Sequence, residues 1–462
     1  MTSFQVVSPV DGRVLVTLDY ATDATIAAAL QAADKAQADW QSIPLAKRAE
    51  ICRHALQYFV SHKKDIALEI TRQMGRPIRF GEGEIGGLQE RANYMIDVAA
   101  SSLADLSFAD MPGFKRYIRR EPVGNVLVLA PWNYPYLTAV NTIFPALMAG
   151  NAVLLKHSAQ TPLCAERFYQ AFQAAGLPEG LFQFLHLTHQ QVESLIQSPQ
   201  INYVAFTGSV AGGHKIEEAA CGRFIGVGLE LGGKDPAYVR ADADIEFSVE
   251  NLVDGAFFNS GQSCCGIERI YVDQSVYARF VEGFVELTRQ YRLGDPLQHE
   301  TTLGPVVSVK AAQWIRDQVA RAVAAGAKAC IDPGEFAGGE LGENYLPPQV
   351  LVDVSHEMDV MTEETFGPVV GIMPVADDEQ ALALMNDSDY GLTASLWTRD
   401  LAVAESLGRR LQTGTVFMNR SDYLDPALVW TGVKNTGRGG TLSQLGYDSL
   451  TQPKSFHLRV GS

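Results

Sequence analysis

The sequence predicts an α/β protein: a doubly wound parallel sheet followed by a second α/β unit. Short apolar, β-branched runs at 125–130, 151–155, 182–185 and 203–206 alternate with helically spaced apolar residues at 136–148, 164–175 and 190–197. Buried strands joined by crossover helices give that pattern. The alternation resumes over 235–433, with strands such as 269–272 and 369–375 and helices such as 276–291 and 309–325. At 462 residues, 47% hydrophobic and 19% charged, the chain is long enough for two or three domains with large cores.

The elements follow in order. Residues 4–8 and 13–19 read as strands joined by the turn Pro9-Val10-Asp11-Gly12. Thr22 is placed to cap a helix carrying Ile26, Ala29, Leu30 and Ala33 at helical spacing. A second helix starts near Pro44, a third spans 64–74 and stops at Gly75-Arg76-Pro77, and a long one covers about 82–103. Residues 107–121 are strand-like and polar, and 455–460 alternate weakly enough to be an added strand. The doubly wound part is of the dinucleotide-binding kind, whose ligands sit at the carboxyl ends of the strands.

Composition narrows the function. A net charge of −16 disfavours nucleic acid and anionic membrane as partners. No stretch is long and apolar enough to span a bilayer, and the first ten residues lack the basic-then-apolar pattern of a secretory signal, so the cytoplasm is the expected location. The six cysteines include no C-x-x-C pair, and the nine histidines show no metal-ligand spacing beside them. Free thiols and no metal are expected.

Certain stretches carry candidate chemistry. Ala130-Pro131-Trp132-Asn133-Tyr134-Pro135 ends a strand, where an Asn amide donates either into a crevice or to its own turn. Phe206-Thr207-Gly208-Ser209, then Gly212 and Gly213, join a strand to a helix whose N-terminus suits a phosphate, or form an ordinary turn. In Leu229-Glu230-Leu231-Gly232-Gly233-Lys234, Glu230 is either an edge carboxylate facing water or a buried one with a raised pKa, fit for a general base. In Phe257-Phe258-Asn259-Ser260-Gly261-Gln262-Ser263-Cys264-Cys265, a thiol after a Gly-Gln turn is either a crevice nucleophile or a small buried hydrophobe.

Taken together and in order, these stretches resemble the aldehyde dehydrogenase superfamily over essentially the full length. The opening Ser8-Pro9-Val10-Asp11-Gly12 fits it, as do Trp40, Arg48, Gly75-Arg76-Pro77, Glu363-Glu364-Thr365-Phe366-Gly367-Pro368 and Gly432-Val433-Lys434-Asn435-Thr436-Gly437-Arg438-Gly439. The separation of Glu230 and Cys264 also suits the family. The resemblance implies a cofactor domain at 1–106 and 122–232, a catalytic domain at 233–433, and a subunit-bridging flap at 107–121 and 440–462. It implies NAD or NADP as cofactor, a small-molecule aldehyde as substrate, and a homodimer or homotetramer.

It also implies roles for single residues. Cys264 stands at the nucleophile position, with Cys265 its neighbour. Asn133 and the Cys264 backbone N–H make the oxyanion hole, and Glu230 activates the hydrolytic water. Lys156 meets the adenosine ribose, Gly208 and Ser209 approach the pyrophosphate, Glu364 holds the nicotinamide ribose, and Phe366 supports the ring. Pro131, Trp132, Ser158, Ala159, Gly212 and Leu231 complete the cofactor contacts. Tyr134, Asn141, Ser263, Cys265, Asp422, Leu424 and Trp430 line the substrate pocket.

This chain departs from the family's pattern in places. Lys156-His157-Ser158-Ala159 stands where a Glu often follows two residues after Lys-Pro. Ala159 removes the repulsion that Glu offers to a 2′-phosphate, and Lys156 offers a positive charge, so either NADP is at least tolerated or only one hydrogen bond is lost and NAD is still used. Thr142 and Gly439 replace a Lys and a Glu of the proton-exit pair, which leaves neither charge unpaired. Members that take succinate semialdehyde often have an Arg at the position of Asn141. Its absence, with Tyr134, Leu424, Trp430 and Asp422, favours an apolar, aromatic or cationic aldehyde, unless Arg420 faces the pocket and weakens that preference. The version Trp430-Thr431-Gly432-Val433 resembles a poorly characterised bacterial, semialdehyde-dehydrogenase-like branch. The competing readings are a CoA-acylating semialdehyde dehydrogenase, a branch that tends to lack Glu at the Glu230 position, and a catalytically idle binding or structural homologue.

Overall fold

The computed structural model describes residues 2–460. It opens with the antiparallel hairpin Ser3–Val7 and Val14–Asp19. The Thr22 hydroxyl then accepts the Thr25 N–H at 3.1 Å and starts helix Asp23–Trp40, as the sequence predicts. Helices Leu45–Ser61, Lys63–Met74 and Ile78–Ser102 follow. Gly75 ends the third in the left-handed conformation (φ 89°), where a Cβ would also meet Pro305 at 2.9 Å. The long helix begins at Ile78 rather than near 82. Glycines at 81, 83, 86 and 87 obscure its start, since glycine weakens an isolated helix. Two of them are there for packing: a Cβ on Gly81 would lie 2.7 Å from Ala67, and one on Gly87 would lie 2.6 Å from Leu137.

The first sheet has the order Gly437–Arg438, Gly226–Glu230, Tyr203–Thr207, Asn125–Ala130, Ala152–His157, Phe182–Phe184. All its pairs are parallel except the one made by Gly437–Arg438. Every residue of Asn125–Ala130 is buried, and each enclosed Val or Leu contributes about 1.5–3 kcal/mol. From this strand the chain builds outward through Ala152–His157 and Phe182–Phe184, then returns to build Tyr203–Thr207 and Gly226–Glu230 on the other side. The reversal lies beside Ala130, so the crevice opens at the carboxyl ends there.

The second sheet runs Lys328–Ala329, Gln349–Val352, Val369–Val375, Ile267–Asp273, Asp235–Val239, Thr393–Trp397, Thr415–Met418, parallel apart from its first pair. A three-stranded antiparallel flap is made by Thr451–Arg459, Phe114–Pro122 and Leu106–Ser107.

The flap's C-terminal part is shorter than the expected 440–462. Leu442, Tyr447 and Leu450 are buried in the core of the first α/β unit, and the Tyr447 hydroxyl donates to Met95 O at 2.6 Å. Only from Thr451 does the chain leave that core. Residue 1 of the expected cofactor span and residues 461–462 of the expected flap lie outside the described residues. Among the described residues, no helix is long and apolar enough to cross a membrane.

Candidate active site

A cavity of about 490 Å³ opens between the two α/β units. Cys264 and Glu230 both line it, as do all seven residues expected at the substrate pocket: Tyr134, Asn141, Ser263, Cys265, Asp422, Leu424 and Trp430. Arg420 is elsewhere. It is exposed and stacks on Tyr423, 3.5 Å from the ring centroid.

The Cys264 loop is set by backbone strain. Asn259, Ser260 and Gly261 are successive residues in the left-handed region, with φ of 54°, 57° and 69°. A Cβ on Gly261 would stand 2.1 Å from Gly367 O and 2.4 Å from its carbon. Two segments of main chain therefore touch where only glycine fits. Gly261→Ala is expected to destabilise the protein by roughly 2–4 kcal/mol and to depress activity, read by denaturant unfolding and by thiol titration of the folded protein. A variant with unchanged midpoint and activity would show that the contact does not constrain the loop.

Asn133 is buried, 6% exposed. Its side-chain amide donates to Gln262 O at 3.2 Å, which ties it to the Cys264 loop. The sequence reading missed what holds it. Arg76 donates through Nη2 to Asn133 O at 2.5 Å and through Nε to Asn259 Oδ1 at 3.0 Å, and it pairs with Glu84. Glu84 Oε1 in turn accepts the Tyr136 N–H at 2.7 Å, capping helix Pro135–Ala149. A buried pair is weak evidence for net stability, but this one fixes both loops that meet at Cys264. The available signal was the Gly75-Arg76-Pro77 stretch.

Glu230 ends an internal strand paired on both sides, which removes the edge-strand reading. Its Oε2 accepts the Thr207 hydroxyl at 3.0 Å and its Oε1 the Thr441 hydroxyl at 2.6 Å. Burial raises its pKa against those two hydrogen bonds. Thr441 arrives because its backbone bonds twice to Trp430, at 2.8 and 2.9 Å. A second cavity of about 20 Å³ adjoins Glu230, bounded by Thr142, Thr207, Arg438, Gly439 and Thr441 among others. That is room for one water.

Cys265 is tied down. Its thiol donates to Asp422 Oδ1 at 2.9 Å, and Ser263 Oγ donates to the same oxygen at 3.2 Å. Its pKa is well above the usual thiol range because of the contact with the Cys264 thiol, burial and the nearby Asp422 carboxylate. Burial also raises Asp422, to about 6.

Most of the residues expected to contact the cofactor lie along the carboxyl edge of the first sheet. Pro131 and Trp132 follow strand Asn125–Ala130, Ser158 and Ala159 follow Ala152–His157, Gly208 and Ser209 follow Tyr203–Thr207, and Leu231 follows Gly226–Glu230. The Ser158 N–H donates to Ala130 O at 2.9 Å, joining two of these turns. Ser209 caps helix Val210–Ala220 by accepting the Gly212 N–H at 3.2 Å. A Cβ on Gly208 or Gly212 would meet the Phe206 ring at 2.6 or 2.7 Å, so both glycines also serve packing. Trp132 and Phe366 meet edge-to-face, with centroids 5.6 Å apart. Phe366 takes a left-handed φ of 53°. Glu268 holds that turn by accepting the Thr365 and Phe366 N–H groups, each at 2.8 Å, while pairing with buried Lys234 at 2.5 Å.

The edge fits a dinucleotide. The Lys156 amine is half-buried with no hydrogen-bonding or ionic partner among the described residues, and burial lowers its pKa. The Glu364 carboxyl takes one hydrogen bond, from the Gly233 N–H at 3.1 Å, and burial pushes it up to about 8. Both are polar groups awaiting a ligand's donors and acceptors.

A doubly wound sheet with a ligand-ready crevice at its switch point defines a dinucleotide-binding α/β protein. The comparison with known families is more specific: the chain belongs to the aldehyde dehydrogenase family, whose pattern matches residues 1–456, and it is an oxidoreductase using NAD or NADP. It is 33% identical over 441 residues to the NAD(P)+-dependent succinate semialdehyde dehydrogenase Sad of Escherichia coli, covering 95% of this chain and 94% of that one. It is 32% identical over 436 residues to lactaldehyde dehydrogenase of the same organism, covering 93% and 90%. Among solved structures, succinic semialdehyde dehydrogenase from Streptococcus pyogenes with NADP+ superposes with a TM-score of 0.94 at 28% identity, covering 99% of this chain and 100% of that one.

Proposed function

We propose that the protein oxidises an aldehyde to the carboxylic acid through a thioester on Cys264. The observation that carries this reading is the placement of Cys264 and Glu230 on one cavity, with the neighbouring thiol of Cys265 engaged by Asp422. The Cys264 thiolate adds to the aldehyde carbon, and the oxyanion is held by the Asn133 amide and the Cys264 N–H. Loss of hydride from the tetrahedral adduct leaves the thioester. When bound, the nicotinamide supplies the two-electron acceptor. Glu230 then takes a proton from water as its oxygen attacks the thioester, and Cys264 leaves as thiolate. The hydroxyls of Thr207 and Thr441 and a water in the adjoining cavity offer the proton a way out in place of the missing charged pair.

Lys156 is assigned to the adenosine ribose, Gly208, Ser209 and Gly212 to the pyrophosphate, and Glu364 to the nicotinamide ribose. Pro131, Trp132, Leu231 and Phe366 surround the ring end, with Ser158 and Ala159 near the 2′ position. Ala159 is exposed and carries no charge, which supports tolerance of a 2′-phosphate. We further propose a homodimer or homotetramer joined through the flap, whose Leu106, Phe108, Met111 and Leu458 are exposed, and a cytoplasmic location, where free thiols stay reduced.

The test is initial NADH and NADPH formation across a panel of aldehydes, with product analysis. The carboxylic acid should form without added CoA. Dependence on CoA would move the reading to an acylating enzyme, and nucleotide binding without turnover would move it to an idle homologue. The named relatives act on aldehydes with and without a carboxylate, so the choice between those rests on the pocket.

A further inference from the structure

Resting on that reading of the cavity, we infer that Arg91 is a specificity-determining residue, which selects an aldehyde carrying a carboxylate at its far end. Arg91 lies on the inner face of helix Ile78–Ser102, is 8% exposed and lines the same cavity as Cys264 and Glu230. Its Nη1 donates to Leu137 O at 2.6 Å and to Asn141 Oδ1 at 3.3 Å. A guanidinium has five N–H donors, so Nε and both hydrogens of Nη2 have no protein partner among the described residues. No carboxylate among those residues lies within ion-pair distance of it.

The other buried charges of the cavity are engaged. Arg76 is paired with Glu84. Asp422 accepts from Cys265 and Ser263. Glu230 accepts from Thr207 and Thr441. Glu90 accepts the Tyr423 hydroxyl at 3.0 Å. Asp254 and Arg79 also border the cavity, both on exposed positions. Arg91 is thus the buried cation whose free donors have no anion. Burying a charge without a partner is costly, and the planar fork matches a carboxylate's two oxygens.

Asn141 offers no charge, which by itself favours an uncharged or cationic substrate. Arg91 revises that expectation, because its Nη1 rests on the Asn141 side chain and brings a guanidinium from a different helix to the same wall. The helix starting at Ile78 therefore supplies what the helix Pro135–Ala149 lacks.

The experiment compares kcat/KM for 4-oxobutanoate and butanal, which differ in the terminal carboxylate, in the unsubstituted protein, Arg91→Met and Arg91→Lys, and measures inhibition of butanal oxidation by succinate. The unsubstituted protein should favour the carboxylated aldehyde, and succinate should compete with butanal. Arg91→Met should lower the ratio by roughly 10- to 100-fold, chiefly through KM, as expected for a lost charged hydrogen bond, and Arg91→Lys should recover part of it. A ratio near unity in the unsubstituted protein, with no competition by succinate, overturns the inference even if no variant folds. Equal losses on both aldehydes, borne by kcat, also overturn it and make Arg91 a support for the Cys264 thiolate. Failure to oxidise 4-oxobutanoate by an unsubstituted protein that turns over another aldehyde overturns the inference alone, whereas failure on every aldehyde of the panel sinks the underlying reading of the reaction as well.

Discussion

Cys264→Ala is expected to lower aldehyde turnover at least about 10⁴-fold, the scale seen when a covalent nucleophile is removed, while NADP+ or NAD+ still raises the protein's melting temperature. The residue is half-buried on the cavity wall, so its loss removes a reacting atom and little packing. The informative control is Cys265→Ala. Cys265 is the more deeply buried of the two thiols, it spends its hydrogen on Asp422, and burial and its neighbours hold its pKa high. A thiol that stays protonated is a poor nucleophile. Turnover should therefore persist in Cys265→Ala and vanish in Cys264→Ala. Initial rates with either coenzyme, normalised to folded protein, decide it. Retention of more than a hundredth of the rate by Cys264→Ala would remove the thioester from the mechanism.

Much of this arrangement was legible because it is local. Cys264 follows a Gly-Gln turn, Asn133 follows a strand, and Ser209 caps a helix, so each position is set by a few neighbouring residues. The central strand Asn125–Ala130 was legible for the same reason: six consecutive buried residues leave a continuous apolar run. What was not legible depends on distant pairing. Thr441 reaches Glu230 across 211 positions, because Trp430 and Thr441 bond to each other and to little that the sequence signals. Glu84 and Arg91 read as ordinary charged residues on a glycine-rich helix. Their inward direction follows from close packing of that helix on Pro135–Ala149, which Gly87 permits. The family resemblance places 440–450 in the flap, whereas its buried Leu442, Tyr447 and Leu450 pack in the core of the first α/β unit.

Glu230→Gln separates the two halves of the proposed reaction. The amide cannot take a proton from water, so thioester hydrolysis should slow by roughly 10²- to 10⁴-fold, while thioester formation, which uses Cys264 and Asn133, continues. A rapid burst of reduced coenzyme, close to one equivalent per site, should then be followed by a slow steady state, and acid quenching should trap acyl groups on Cys264. The pH dependence carries a sign that follows from the site. Burial raises the Glu230 pKa, while the Thr441 and Thr207 hydroxyls and Arg91 pull it down. The base works only when deprotonated, so hydrolysis fails as pH falls through this raised value, at a higher pH than for an exposed carboxylate. Removing a donor that lowers the pKa must move the limb further up, so Thr441→Val should shift the acid limb of the steady-state rate towards neutral pH. The burst, which does not use Glu230, should not follow it. Equal burst and steady-state rates in Glu230→Gln, or an acid limb that stays in place when Glu230 is replaced, would make Glu230 a bystander and assign the base to another group.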